Sequence, residues 1–101
     1  MTLYGLFEWD EGKRELNLTK HGLDFYDAAE AFNDKNAVHL PDLRKDYGEQ
    51  RIILVALASG VLLSVVYTPR NFRIRIISAR FANSKERKRY DSRTDHESGI
   101  H

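Results

Sequence analysis

Residues 51–81 read RIILVALASGVLLSVVYTPRNFRIRIISARF, and their pattern decides the fold. Three runs rich in Ile, Val and Leu, typical of strands buried on at least one face, cover residues 51–58, 62–68 and 72–81. The Ser-Gly dipeptide at 59–60 suits a tight hairpin, and residues 69–71 suit a turn. These two short connections predict an antiparallel meander, because parallel neighbours need long crossovers.

Upstream of the meander, polar capping residues mark two helices. Asp10 is a good N-cap and Gly22 a good C-terminal stop for a helix over residues 11–21. The polar face of this helix carries Lys13, Asn17, Lys20 and His21. Asp24 caps a second helix. The apolar stripe of the second helix consists of Phe25, Ala28, Ala29 and Phe32.

Two shorter segments add strand candidates. The residues Phe-Glu-Trp at 7–9 are β-prone, and we expect Trp9 in the core. Residues 37–40 form a short strand candidate that Pro41 ends. A polar loop over residues 42–48 separates this candidate from the meander.

The C-terminal part begins with a capping box. Asn83, with Glu86 three residues later, starts a basic helix that we expect to end near Arg93. Residues 95–101 are expected to form a polar tail. The order of elements predicts a single α+β domain over residues 1–94, with helices packed on an antiparallel sheet.

The net charge of +1 on the 101 residues hides an uneven distribution. Residues 1–49 carry eleven Asp or Glu against six Lys or Arg, whereas residues 70–93 carry nine basic side chains against two acidic ones. A basic stripe of this density is typical of a protein with a polyanion partner, such as a nucleic acid. The alternatives are a solvated basic face and a surface covered by an acidic protein.

The chain lacks the residue types that several kinds of catalytic and metal-binding sites require. The absence of cysteine excludes a disulfide scaffold, a thiolate zinc site and a cysteine nucleophile. The four histidines show no zinc-type spacing, so we expect no metal and no cofactor. The longest apolar run, residues 52–58, is far too short for a membrane span, and the N-terminal segment lacks the features of a signal peptide. We therefore expect a cytoplasmic protein without membrane contact.

The residues that remain suit RNA cleavage without a metal ion. In this reaction the ribose 2′-OH attacks the adjacent phosphodiester. A base must accept the proton of the nucleophile, and an acid must protonate the leaving 5′-oxygen. Arginine suits the stabilisation of the phosphorane, because its planar guanidinium meets phosphate oxygens in two-point contact and stays charged.

The strand FRIRIISARF concentrates the arginine candidates. A regular pleat places Arg75 and Arg80 on opposite faces of the sheet. Both arginines serve one site only if the strand bulges or ends near residues 78–79. The alternative is that one of them makes a structural ion pair, with Glu49 or Glu86 as the partner.

Other candidates lie outside that strand. Glu49 and Arg51 point the same way at the start of a strand, so Glu49 is a candidate base or a partner that orients an arginine; the alternative is an ion pair at the rim. His21 is a candidate acid or base with Lys20 beside it, although a histidine next to a glycine also serves as a helix end. Tyr67 is a candidate proton donor or stacking platform, with a packed aromatic as the alternative.

Taken together, these residues resemble the BrnT family. The segment WDEGKRELNLTKHGLDF at residues 9–25 has the family's Trp-Asp, spaced Lys and Asn, Lys-His-Gly and Phe. The resemblance continues through Ala28, Ala29, Phe32, Asp34, Glu49, Arg51, Tyr67, Thr68, the run RIISAR at 75–80, Glu86, Arg87 and Tyr90. It covers residues 7–90, and the order and spacing of the motifs make it specific.

The resemblance implies a toxin of a type II toxin–antitoxin pair. It implies a RelE-like fold with two N-terminal helices, an antiparallel sheet and a C-terminal helix, and a ribonuclease that needs no metal and inhibits translation. It also implies a BrnA antitoxin, through which the complex contacts DNA. The functional positions that it implies are Lys20, His21, Glu49, Arg51, Arg75, Arg80 and Tyr67. Basic residues suited to general RNA or antitoxin contacts are Arg73, Lys85, Arg87, Lys88 and Arg89.

Two other functions fit the same residues. A regulator that binds RNA or DNA without cleaving it needs the same phosphate contacts. A degenerate toxin retained for antitoxin binding would keep the same fold and the same charges.

Overall fold

The structure is a computed structural model that describes the backbone of residues 1–98 and the side chains of residues 1–93. Its elements are β1 (Thr2–Tyr4), β2 (Phe7–Trp9), α1 (Glu11–His21), α2 (Phe25–Ala31), β3 (Val38–Pro41), β4 (Ile52–Ala58), β5 (Val61–Arg70), β6 (Arg73–Phe81) and α3 (Ser84–Ser98). The α+β class predicted from the sequence is confirmed, and so is the hairpin at residues 59–60. The second hairpin is also present, but its turn lies at residues 71–72 and not at 69–71, because Pro69 and Arg70 extend β5.

The six strands form one sheet in the order β1-β2-β6-β5-β4-β3. The prediction of an antiparallel sheet is wrong at one point, because β2 and β6 pair in parallel. In this pairing Phe7 lies opposite Ile74 and Glu8 opposite Arg75. The long connection through both N-terminal helices and three strands lets β6 return beside β2 in the same direction. A three-residue strand carries no pattern that specifies its direction, and β1 was not predicted at all.

The N-terminal helices begin and end where their capping residues predict. The backbone N–H of Lys13 donates to Asp10 Oδ1 at 3.0 Å, and Gly22 ends α1 in the left-handed region at φ 72°. In α2, the side chains of Asp24 and Asp27 form a capping box. These contacts fix the bounds of both helices.

The third helix starts as predicted and extends further than predicted. The N–H of Glu86 donates to Asn83 Oδ1, and the N–H of Asn83 donates to Glu86 Oε1, both at 2.9 Å. The helix continues to Ser98, so its predicted end near Arg93 is wrong; the sequence up to Ser98 has no Gly or Pro to end it. Residues 99–101 of the predicted tail lie outside the described residues.

The sheet has two unlike faces. Helices α1 and α2 cover one of them, here called the closed face, over a core that includes Trp9, which is confirmed as a fully buried core residue. The other, here called the open face, packs against α3 on β3 and β4 over a smaller cluster. The members of that smaller cluster are Val38, Val55, Leu62 and Tyr90. On β6, arginine side chains on the open face stay partly exposed.

A bulge in β6 decides which side chains reach the open face. Val66 pairs with Ser78 and Tyr67 pairs with Ile76, so Ile77 is an extra residue in β6. The extra residue shifts the alternation, and Ile76 and Ala79 both belong to the core of the closed face. The neighbours of these two residues, which include both candidate arginines, therefore point to the open face.

Candidate functional site

The bulge brings Arg75 and Arg80 to the same face of the sheet. The sequence predicted that they share a face only with a bulge near residues 78–79, and the bulge lies at Ile77. On β5 their partners are Thr68 and Ser64, four residues apart, which puts the two arginine Cα atoms about 13 Å apart along the strand. Both arginines therefore lie on one face of the same strand.

Arg75 is held by an acidic residue that the sequence analysis missed. Its Nε donates to Glu8 Oε2 at 2.9 Å, and Glu8 is nearly buried with only 10% of its side chain exposed. The signal was present in the alternation of residues 7–9, since the apolar Phe7 and Trp9 belong to the closed core and Glu8 must point the other way. The pair fixes the direction of the Arg75 guanidinium.

Arg80 is held by the carboxylate at the start of α3. Its Nη1 and Nη2 donate to Glu86 Oε1 and Oε2, both at 2.8 Å, and the hydroxyl of Ser64 donates to Oε2 at 3.0 Å. Burial raises the pKa of Glu86, but these bonds and the N–H of Asn83 outweigh it and hold the pKa below its usual value. The predicted alternative partner Glu86 is confirmed, while Glu49 pairs elsewhere.

Glu49 and Arg51 form their own pair at the β4 end of the open face. Arg51 Nε donates to Glu49 Oε2 at 3.1 Å, and its guanidinium lies 4.0 Å from the centre of the Tyr47 ring. Ile52 of β4 pairs with Tyr67 of β5, so Arg51, one residue earlier, lies beside Thr68. Thr68 in turn pairs with Arg75 of β6. Two neighbouring strand spacings put the Arg51 and Arg75 Cα atoms roughly 10 Å apart.

Lys20 and His21 lie on α1, where the end of the helix borders the β6 bulge. Together with Lys13 they line a groove of about 440 Å³ that also includes Ile77 and Ser78. Ser78 follows the bulge and precedes Arg80 by two residues, so both point to the open face. The groove therefore comes within two residues of Arg80 along β6.

The structure does not bring Tyr67 to this face. Its ring belongs to the closed core and packs edge-on against Phe32, and its hydroxyl lies 2.9 Å from His39 Nδ1. Burial raises the pKa of the Tyr67 hydroxyl. The packed-aromatic alternative fits this position, and Tyr67 is separated from the arginines by the sheet itself.

The residues predicted to make general contacts lie around the arginine site. Arg73 shares the open face on β6, and its Nη1 donates to the carbonyl of Gly5 at 2.8 Å. Four basic side chains on α3 are exposed, namely Lys85, Arg87, Lys88 and Arg89. On the open face, four arginines (Arg51, Arg73, Arg75 and Arg80) face three carboxylates (Glu8, Glu49 and Glu86). The balance of these seven groups is positive, which favours an anionic ligand.

Two negative findings concern only the part of the chain that the structure describes. Within it, no three His, Asp or Glu side chains converge in a way that could hold a metal ion. Across the same residues, no helix is both long enough and apolar enough to cross a membrane.

Comparison with known proteins identifies the family. No curated protein matches the chain. The family model described as "Ribonuclease toxin, BrnT, of type II toxin-antitoxin system" matches residues 9–86, from Trp9 at the end of β2 to Glu86 in the first turn of α3. Membership implies an RNA target and an antitoxin partner. The chain belongs to the BrnT family of ribonuclease toxins of type II toxin–antitoxin systems.

Proposed function

We propose that this toxin cleaves RNA on the open face of its sheet, by attack of the ribose 2′-OH and without a metal ion. The observation that carries the proposal is the β6 bulge, which puts Arg75 and Arg80 on one partly exposed face. Each guanidinium is held by a carboxylate at 2.8–2.9 Å, so its donors are oriented before RNA binds. Preorganised charge of this kind is often the largest catalytic contribution.

The arginines stabilise the charge that develops on the phosphorane. Arg75 donates through Nε to Glu8. Arg80 donates through Nη1 and Nη2 to Glu86 and through Nη1 also to the carbonyl of Phe81. A guanidinium has five N–H donors, so each arginine keeps others for phosphate oxygens. Arg51, one strand further along, adds a third cation near Arg75. Charge stabilisation then needs no residue outside the open face.

Proton transfer is assigned to Glu49 or His21, with Lys20 assisting. The base removes the proton of the 2′-OH as the new P–O bond forms, and the acid protonates the 5′-oxygen as its bond to phosphorus breaks. The products are a 2′,3′-cyclic phosphate and a 5′-hydroxyl. Lys20 and His21 line the groove that includes Ser78, two residues before Arg80 on β6, and this proximity supports their place in the reaction. Tyr67 has no role in this scheme.

The remaining parts of the proposal concern partners and setting. Arg73 and the exposed basic residues of α3 bind the RNA backbone outside the cleaved bond. The domain is RelE-like, acts in the cytoplasm and is neutralised by a BrnA-like antitoxin, which alone contacts DNA. These assignments are supported by the family and by the two N-terminal helices, the sheet and the C-terminal helix.

The test incubates purified toxin with a short single-stranded RNA in the presence of excess EDTA. We expect cleavage to continue and to leave cyclic-phosphate and 5′-hydroxyl ends. We also expect Arg80→Ala to lower kcat about 100-fold, because one preorganised cation is removed. Cleavage that stops with EDTA contradicts the metal-free mechanism. Tight, salt-sensitive binding with intact RNA favours a non-cleaving regulator, and stable folding without either activity favours a degenerate toxin.

A further inference from the structure

Asn17 is a buried polar side chain that the proposed chemistry does not use. The sequence placed it on the polar face of α1, yet it is only 7% exposed. We propose that Asn17 is a positioning residue, which holds the β6 bulge so that Arg75 and Arg80 face the same way. The inference rests on the proposed function of those two arginines.

The amide of Asn17 bonds to the backbone of β6 as a neighbouring strand would. Its Oδ1 accepts from the N–H of Ala79 at 3.0 Å, and its Nδ2 donates to the carbonyl of Ala79 at 2.8 Å. The same Nδ2 donates to the carbonyl of Leu23 at 3.0 Å. Two bonds therefore tie α1 to Ala79 of β6, and the third ties the helix to the chain just after its end.

In the part of the chain that the structure describes, no strand pairs with this edge of β6 beyond Arg75. On that side, β2 pairs with β6 only at Ile74 and Arg75, and the chain then turns into α1 at Asp10. Ala79 lies beyond the reach of β2, so its outward N–H and carbonyl need another partner. A buried N–H or carbonyl without a partner is costly, and the Asn17 amide supplies both bonds.

The position of these bonds matters because of the bulge. Ala79 comes two residues after the extra residue Ile77 and directly precedes Arg80. A slip of one residue in this segment would turn Arg80 toward the apolar core of the closed face. By fixing Ala79, Asn17 keeps the shifted alternation and the orientation of Arg80 that depends on it.

The same bonds set the position of α1 against the site. Asn17 lies on the helix between Lys13 and Lys20, which line the groove beside the bulge. Because α1 and β6 are joined at Ala79, the proton-transfer candidates on the helix keep a fixed distance from the arginines on the strand. Asn17 thus acts on the reaction through two sets of residues and touches neither RNA nor its phosphates.

The test is a double-mutant cycle with the full-length toxin. We expect Asn17→Ala to lower kcat roughly 10- to 100-fold, with less than about a threefold change in RNA affinity, since misplacement affects the transition state more than binding. Asn17→Asp should show the same kcat defect, because it keeps the acceptor for the Ala79 N–H and loses both donated bonds. The buried Val55→Ala on β4 controls for lost stability, and its kcat should stay within about threefold.

The cycle separates positioning from simple destabilisation. If Asn17 acts largely through Arg80, then adding Asn17→Ala to Arg80→Ala should lower kcat by less than about threefold more. Amide exchange should speed up at residues 77–81 of Asn17→Ala and stay slow in β4. Equal kcat losses for Asn17→Ala and Val55→Ala at matched thermal stability, or fully additive losses with Arg80→Ala, would overturn the inference. A fully active Arg80→Ala would instead overturn the proposed site.

Discussion

The two faces of the sheet are built on opposite principles. The closed face buries aromatic and aliphatic side chains under α1 and α2, and its contacts are apolar, with Trp9 and Phe25 fully buried and packed edge to face. The open face carries arginines in pairs with carboxylates, and the side chains of Arg75 and Arg80 remain 25% and 35% exposed. The sheet therefore separates the main core from the arginines that we propose contact RNA.

This separation explains why charged side chains are tolerated inside strands. Each arginine on β6 alternates with an apolar residue that packs on the closed face, so the strand contributes to both. Partly exposed ion pairs contribute little to stability by themselves. We expect substitutions in the closed core to change stability and substitutions of the open-face arginines to change activity.

The largest effect on stability is expected from Trp9→Ala. The change removes a fully buried indole from the closed core and should lower the free energy of unfolding by about 3–5 kcal/mol. Urea denaturation measures this loss. The matched control is Phe72→Ala, an aromatic residue that is fully exposed in the turn before β6 and should unfold like the wild type. Similar losses for both variants would contradict the division between the faces.

Arg75→Ala should give the reverse result, a large loss of activity and a smaller loss of stability than Trp9→Ala. We expect kcat to fall about 100-fold because one oriented cation is removed. The free energy of unfolding should fall by roughly 1–3 kcal/mol, since Glu8 keeps its burial and loses its partner. Cleavage of a short RNA and urea denaturation measure the two quantities. The charge-matched control is Lys35→Ala at an exposed position after α2, and equal kcat losses for both variants would show a general charge effect.

Acid should reduce the contribution that Glu86 makes to the free energy of unfolding. Its folded pKa lies below the unfolded value near 4.5, so its stabilising contribution is present above pH 4.5 and is lost as the pH falls through the folded pKa. The difference in unfolding free energy between wild type and Glu86→Gln should shrink from pH 7 to pH 3. Because Arg80 is partly exposed, we expect a change of about 1 kcal/mol or less. A difference that stays constant over this range would contradict the assigned role of the pair.

The smallest effects are expected from the exposed basic residues of α3. Single Ala substitutions at Lys85, Arg87, Lys88 and Arg89 should each weaken RNA binding slightly without changing kcat at saturating RNA. Each lost phosphate contact should reduce the slope of log affinity against log salt by about 0.7 for a single strand. Fluorescence anisotropy at several salt concentrations measures the slope. Unchanged slopes would assign this surface of α3 to a partner other than RNA.

The elements of the fold were predictable where local chemistry specifies them. The caps at Asp10 and Asp24 and the Ser-Gly hairpin act within a few residues, so the sequence pattern was sufficient. The direction of β2 was not predictable, because its three residues pair with a strand 67 positions later in the chain. The end of α3 was missed because a helix without Gly or Pro has no local stop.

Most candidate residues of the site could be predicted from the sequence, but the partners that hold them could be predicted less well. Arginines within an apolar strand signal a functional or paired role. The structure shows Arg80 paired with Glu86, and the functional role is our proposal. The bulge at Ile77 has no composition signal of its own, since Ile-Ile-Ser-Ala suits a regular strand equally well. Glu8 and Asn17 were missed because their partners, Arg75 and Ala79, lie more than 60 residues away.

The Glu8–Arg75 and Arg80–Glu86 pairs also determine when the site forms during synthesis. Glu8 leaves the ribosome early, but Arg75 emerges 67 residues later, and the partner of Arg80 follows six residues after it. Contacts between such distant residues form late in folding, because the long loop between them must close first. A nascent chain shorter than 86 residues lacks the carboxylate that orients Arg80. Both ion pairs that orient these arginines can therefore be complete only after nearly all of the family-matched region, residues 9–86, has been translated.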